Sequence, residues 1–313
     1  MRYRLTLIAA IFLVFAGSLL AQKRIDVPTR PEASPRWQCR RIVSMSPSIT
    51  ETLYALGLGD RVVGVARDCH YPPEVEKVKE TGGDVGGYYD PNLEAVLMLK
   101  PDLVVMLEEQ ALALPNFEKL KLETLVVSHL TVQGIIESFS IIGGKCGNGP
   151  EGRQMTRDFQ DRVDRIRRRT QRLSRPRVLF VLDRTFGRGH LSDLYVAADD
   201  SYIDTIIDWA GGQNAYQRRG VRYPVVSTEG ILKLNPDVIV DLVPPGVASG
   251  LSRQTLLDDW NDVKAVAAVK DHRVLIFDQD YACVPGPRFL RLVEDLARQL
   301  HPEVEWSDAG KGR

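Results

Sequence analysis

Asn92-Leu-Glu-Ala-Val-Leu-Met-Leu-Lys-Pro-Asp-Leu-Val-Val105 and Ser227-Thr-Glu-Gly-Ile-Leu-Lys-Leu-Asn-Pro-Asp-Val-Ile-Val240 are one pattern written twice, 135 residues apart and without a gap. Six of the 14 positions are identical, and a tyrosine precedes the shared glutamate by six residues in each copy, Tyr88 and Tyr223. Each copy reads as a helix, a Pro-Asp break and a buried strand. A unit of this length used once in each half of the chain predicts two similar lobes with the function between them.

The flanking sequence supports that division. Strands are expected at 41–45, 61–66, 103–107 and 125–128, and again at 177–182, 238–242 and 273–278. Helices are expected from Ser48, where Ser48-Ile-Thr-Glu51 has capping-box spacing, over 92–99, 132–142, 201–210, 228–234 and 287–300. Gly57-Leu-Gly59 follows a helix and precedes a strand, as a helix C-cap does. Short apolar strands alternating with amphipathic helices give an α/β class with mostly parallel sheets. Between the halves, Met155, Phe159, Val163, Ile166 and Leu173 recur at helical spacing among charged residues. They predict one connecting helix over 150–174, joining an N-terminal lobe, 37–149, to a C-terminal lobe, 175–302. The basic cluster Arg165-Ile-Arg-Arg-Arg169 shares that helix with Asp158, Asp161 and Asp164 and reads as a solvated face. Residues 303–313 read as a disordered tail.

At 313 residues the chain is long enough for two cores. Its 41 basic and 41 acidic residues balance, against the basic excess of a nucleic-acid binder. Met1-Arg-Tyr-Arg4, the apolar run Leu5–Leu20 and Ala21 have the layout of a secretory signal peptide, residues 1–21, followed by a flexible leader, 22–36. Export to the periplasm is expected, or an extracytoplasmic tethered form if the signal segment is retained.

No catalytic constellation is present: neither a G-x-S-x-G elbow nor a P-loop. Five scattered histidines do not make a metal-capture site, and His70 and His190 read as loop residues. Ligands in parallel α/β lobes sit beyond the carboxyl ends of the strands, so the helix starts at Ser48, Asn92 and Ser227 should face the cleft. Glu94 and Glu229 fall in first turns, where dipole compensation accounts for one carboxylate better than for a matched pair. Tyr88 and Tyr223 suit a large flat ligand. Arg288, in Pro285-Gly-Pro-Arg288, suits a cation aimed into the cleft or an inter-helix salt bridge.

The cysteines are constrained by strand direction. Cys39 precedes the first strand and Cys146 ends a helix, which places both at the sheet edge remote from the cleft; Cys69 and Cys283 follow strands on the cleft side. Bridging Cys39 to Cys69 would cross a strand of roughly 17 Å, against a Cα limit of about 7 Å. The expected disulfide is therefore Cys39–Cys146, with Cys69 and Cys283 free or bridged across the cleft.

Arg41-Ile-Val-Ser-Met-Ser-Pro-Ser-Ile-Thr-Glu51, Tyr71-Pro-Pro73, the Tyr88–Val105 block and Pro285-Gly-Pro-Arg288 resemble the cobalamin/iron-siderophore periplasmic-binding proteins, the substrate-capture subunits of ABC importers. The resemblance runs from about Arg41 to Pro302 and is nearest to the vitamin B12-binding branch. It implies two α/β lobes joined by one long helix, no enzymatic activity and no catalytic cofactor or metal. It also implies a monomer that holds its ligand in the cleft and docks on a permease dimer with ATPase subunits. By motif position Glu94 and Glu229 resemble that family's permease-docking glutamates. The expected ligand-binding residues are Ser46, Pro47, Ser48, Asp68, Tyr88, Tyr89, Tyr223 and Arg288. A cobalamin-like corrinoid is the first ligand implied, a ferric siderophore or haem the alternative. Tyrosines stand where the best-known cobalamin binder has tryptophan, and Leu107 replaces another aromatic. A ligand sensor or scaffold without a transporter is the alternative of a different class.

Overall fold

The computed structural model describes residues 39–306, all within one unit, Trp37–Arg313. The signal segment, the leader and positions 307–313 lie outside the described residues. In the N-terminal lobe β1 (Ile42–Ser44), β2 (Val62–Val65), β3 (Leu103–Leu107) and β4 (Thr124–Val127) form a parallel sheet in the order β2-β1-β3-β4. In the C-terminal lobe β5 (Arg177–Asp183), β6 (Leu194–Val196), β7 (Gln213–Asn214), β8 (Val225–Val226), β9 (Val238–Leu242) and β10 (Val274–Phe277) form a second sheet. Its order is β10-β9-β5-β6-β8, with β7 beside β5 and β6 antiparallel to both neighbours. Strands β6, β7 and β8 are not expected from the sequence, because two or three residues carry no measurable alternation.

The repeat explains much of its own identity. Asn92 and Ser227 cap the helices Leu93–Met98 and Thr228–Leu234, accepting from the amides of Ala95 (3.1 Å) and Gly230 (3.2 Å). Val96 and Ile231 are fully buried, as are Val105 and Val240. Each helix is followed by a left-handed residue at the same position, Lys100 (φ 46°) and Asn235 (φ 40°). Asp102 then accepts from the amides of Arg40 and Arg41, and Asp237 from the amide of Arg177, pinning the start of the neighbouring strand. The same arginines reach back to the helix ends: Arg41 donates to the Leu99 carbonyl and Arg177 to the Leu234 carbonyl. Orphan helix carbonyls and the strand entry are thus secured by one device used twice.

At the mouth of β1 the local expectation gives way to a distant one. The helix Pro47–Ala55 starts after Ser46, without a side-chain cap, and the Ser48–Glu51 capping box does not form. Ser46 Oγ lies 3.0 Å from Ser48 Oγ, which lies 2.9 Å from His129 Nδ1, while His129 Nε2 lies 3.0 Å from Ser138 Oγ. Ser138 donates its hydrogen to the Ile135 carbonyl, so it accepts from Nε2, and Nδ1 must accept from Ser48. All four side chains are buried, and burial lowers the His129 pKa to about 4.

The connecting helix, Gly149–Thr170, is the structural centre. The helix Val132–Lys145 of the N-terminal lobe lies so close to it that a Cβ on Gly152 would stand 2.4 Å from the Phe139 carbonyl oxygen. Phe159 packs on Phe139 (6.1 Å between ring centroids), Trp209 (6.4 Å) and Phe289 (4.9 Å). One core cluster therefore contains residues of both lobes. Trp306, in the segment expected to begin a disordered tail, donates to the His301 carbonyl and lies under Arg169. Cys39 and Cys146, 5.3 Å apart at Cα, are joined by a disulfide that ties the entry of β1 to the end of Val132–Lys145.

Inside the C-terminal lobe Asp241 interrupts the apolar run of β9. It is fully buried and receives Arg184 (2.8 Å) and the Trp260 indole N–H (2.9 Å). Arg184 also reaches Asp259 (2.6 Å), which accepts from the amides of Gly187 and Gly189. Burial raises the Asp241 pKa, while Arg184 and the two amides hold Asp259 low.

Two outcomes are expected in urea or thermal unfolding. Gly152→Ala should destabilise by about 1–3 kcal/mol through overpacking, although Gly to Ala inside a helix ordinarily stabilises by about 1 kcal/mol. Gly144→Ala, with open space around its Cβ, should show that ordinary gain. Unfolded histidine titrates near 6.5 and His129 near 4, so its contribution is full above pH 6.5 and lost as pH falls toward 4, by about 3 kcal/mol. His129→Gln should flatten stability over that interval; an unchanged slope would show that His129 does not set it.

Candidate functional site

The loop carrying Tyr88 and Tyr89 is fixed by a residue the sequence did not single out. Gln110 is buried, accepts from the Leu107 amide (2.9 Å) and has its amide nitrogen 2.8 Å from the Met45 carbonyl and 2.7 Å from the Tyr88 carbonyl. It therefore clamps the ends of β1 and β3 to the tyrosine loop. The bond to Leu107 is a local N3 cap, whereas the bonds to Met45 and Tyr88 are long-range and have no local motif. Tyr88 is half-buried and Tyr89 is 78% exposed, with the two rings edge-on at 4.6 Å.

On the other lobe Tyr223 is 39% exposed and lies near Tyr202, which in turn neighbours Cys283. Burial raises the pKa of Tyr88 and of Tyr223, and the Glu109 carboxylate adds to the rise in both. The phenols stay protonated at neutral pH, suited to stacking and neutral hydrogen bonding.

Other expected ligand residues are engaged elsewhere. Ser46 and Ser48 are 2% and 1% exposed and belong to the His129 chain, so their hydroxyls are turned into the lobe; Pro47 is partly exposed between them. Asp68 is exposed, with no hydrogen bond or ion pair among the described residues. Arg288 forms the salt bridge that was one of its two expected roles. It reaches Glu51 Oε1 at 2.6 Å and Asp280 at 2.9 Å, with its guanidinium 3.5 Å from the Tyr71 ring centroid. Glu51 and Tyr71 belong to one lobe, Arg288 and Asp280 to the other, so this cluster latches the two together. Glu51 is 2% exposed at its side chain, and burial raises its pKa against the pull of Arg288.

Behind the latch, where Pro47–Ala55, the connecting helix and Phe289–Leu300 meet, a cavity of about 950 Å³ is lined by Tyr54, Tyr71, Arg162, Arg288 and Glu294, among others. Its lining includes neither Tyr88 nor Tyr223.

Cys69 is a buried free thiol and Cys283 an exposed one, so the cross-cleft bridge is not formed. Burial pushes their thiols up to about 12 and about 11, far from the reactive thiolate range. Among the described residues no group of three or more His, Cys, Asp or Glu side chains is arranged to hold a metal ion. His70 lies 3.1 Å from Glu76, and His190 lies against the Arg188 carbonyl. Glu94 and Glu229 are exposed and have no ion-pair or hydrogen-bond partner among the described residues.

Among the described residues no helix is long and apolar enough to cross a membrane. The chain is 29% identical over 317 residues to the uncharacterized ABC transporter substrate-binding lipoprotein YvrC of Bacillus subtilis (strain 168), covering 95% of this chain and 96% of that one. It is 27% identical over 300 residues to a vitamin B12-binding protein of Vibrio cholerae, covering 94% and 96%. The fold matches that of the periplasmic heme-binding protein RhuT from Roseiflexus sp. RS-1 in apo form, with a TM-score of 0.71 and 24% identity over 84% of this chain and 98% of that one. Residues 42–281 match the periplasmic binding protein family, and the chain belongs to it, a family of substrate-binding transport proteins and not of enzymes.

Proposed function

We propose that this protein is exported, captures a cobalamin-like corrinoid between Tyr88/Tyr89 and Tyr223, and delivers it to the permease dimer of an ABC importer. The observation that carries the ligand reading is the tyrosine pair at matched positions of the repeat, one on each lobe and each partly exposed. A flat macrocycle offers two faces, and an aromatic from each lobe can stack on one of them. The vitamin B12-binding relative is consistent with a corrinoid. Ferric haem or a ferric siderophore is the alternative ligand of the same family. The Cys39–Cys146 disulfide suits an oxidising, extracytoplasmic compartment.

Delivery rests on Glu94 and Glu229, exposed carboxylates at matched positions near the cleft edge of each lobe. Matched charges on two lobes fit a two-fold receptor with a cation on each subunit, and unpaired exposed charges steer association.

Spectroscopic titration of purified protein with cyanocobalamin, haemin and ferric siderophores tests the ligand. Saturable corrinoid binding at or below micromolar concentration is expected, and Tyr88→Ala and Tyr223→Ala should each weaken it about tenfold, or about 1.4 kcal/mol. No corrinoid binding at micromolar concentration, with haemin or a siderophore bound instead, would overturn this choice. Glu94→Lys and Glu229→Lys should impair uptake in cells while leaving ligand affinity unchanged; a lost ligand affinity would move these residues into the pocket. Normal uptake by both variants would favour a sensor or scaffold.

A further inference from the structure

The six identities of the repeat divide into two groups once the fold is known. Leu99/Leu234 present the helix-end carbonyls that Arg41 and Arg177 cap, and Pro101/Pro236 end the helices. Asp102/Asp237 pin strand entries, and Val105/Val240 are buried in the sheets. Glu94/Glu229 and Leu97/Leu232 have no such role. Leu97 is 38% exposed and Leu232 42% exposed, although their immediate neighbours Val96 and Ile231 are fully buried.

A single exposed leucine needs no explanation. The same leucine exposed at the same place in two lobes, three residues after an exposed carboxylate, does. Residues i and i+3 share a helix face, so each copy presents an acidic group and an apolar group side by side. Both helices run back from the carboxyl edge of their sheets, because each leads into a strand parallel to the rest (β3 and β9). The two acid–leucine pairs therefore lie near corresponding edges of the two lobes.

We propose that Leu97 and Leu232 are paired apolar anchors for the permease dimer, each seated beside its docking glutamate. The partner surface would then carry, on each of two subunits, a cation next to an apolar socket. This inference rests on the docking reading of Glu94 and Glu229 given above. A lipid surface is the poorer occupant, since exposed carboxylates repel anionic headgroups, and a motif written once per lobe matches a two-fold protein. The copies differ one residue later: Met98 is 81% exposed, whereas Lys233 holds that place in the second lobe. The N-terminal anchor is consequently wider and more apolar, and the two ends of the footprint are not equivalent.

The test is binding of the ligand-free full chain to permease–ATPase complexes from the same genome, reconstituted in lipid nanodiscs and read by surface plasmon resonance. Leu97→Ala and Leu232→Ala should each weaken binding about fivefold and the double variant more than tenfold. Ile141→Ala, which alters an exposed residue outside the repeat (46% exposed), should leave it unchanged. Glu94→Lys and Glu229→Lys run in parallel and separate the two readings. If charge reversal weakens binding and the leucine variants do not, docking stands and the apolar anchors fall. A chain that binds none of these complexes, or whose binding ignores both charge reversals, removes the docking reading and this proposal with it.

Discussion

Phe159 is the contact on which the two-lobed arrangement depends. It sits on the connecting helix and touches Phe139 of one lobe and Trp209 and Phe289 of the other. A buried phenylalanine contributes on the order of 2–3 kcal/mol through apolar area alone, and here that area is shared between lobes. Opening the cleft widely would have to shear a close-packed cluster, and interiors of this kind shift between discrete packings instead of deforming smoothly. The Glu51–Arg288–Asp280 cluster adds a second constraint. Breaking it would leave a charge in a nearly closed site, where desolvation is costly. The two together tie the lobes to one another beside the connecting helix.

Much of this architecture was legible because the repeat carries physical instructions at each position: cap, buried face, left-handed exit, strand clip and buried strand. Strands β3 and β9 fall where the apolar runs put them, and the connecting helix ends within a few residues of its expected limits. The disulfide followed from strand polarity, which is a property of the topology and survives small errors in boundaries. What was not legible depends on partners far away in sequence. Ser48–Glu51 has the spacing of a capping box, but Glu51 is claimed by Arg288, 237 residues on. Asp241 looks like an intruder in an apolar strand until Arg184 and Trp260 are seen around it. Gln110 caps the Leu107 amide locally, but nothing near it in sequence announces that it also holds the tyrosine loop to the sheet.

The site was legible to a different degree. Tyr88 and Tyr223 stand at matched positions six residues before the repeat's glutamates, and each is partly exposed. Ser46 and Ser48 stand at the start of the helix that follows β1, where this class of fold brings backbone to the carboxyl edge of the sheet. Their side chains obey a stronger demand. His129 is buried, neutral and needs a donor for Nδ1, and Ser48 is the hydroxyl within reach. A buried imidazole left without that donor costs more than a cleft-facing serine gains.

The same logic separates the roles of charge along the inter-lobe boundary. Arg288 and Glu51 neutralise one another within the latch, so they offer little net field to a cargo. Glu94 and Glu229 are solvated and unpaired among the described residues, so their field extends outward, within about a Debye length of 8–10 Å in physiological salt. Arg184 and its two aspartates are sealed from solvent and act on the loop around Gly187 and Gly189. Three acid–base arrangements in one chain thus differ chiefly in burial. Fully buried charge fixes a loop, the largely buried Glu51–Arg288 pair joins the lobes, and Glu94 and Glu229 remain in solvent.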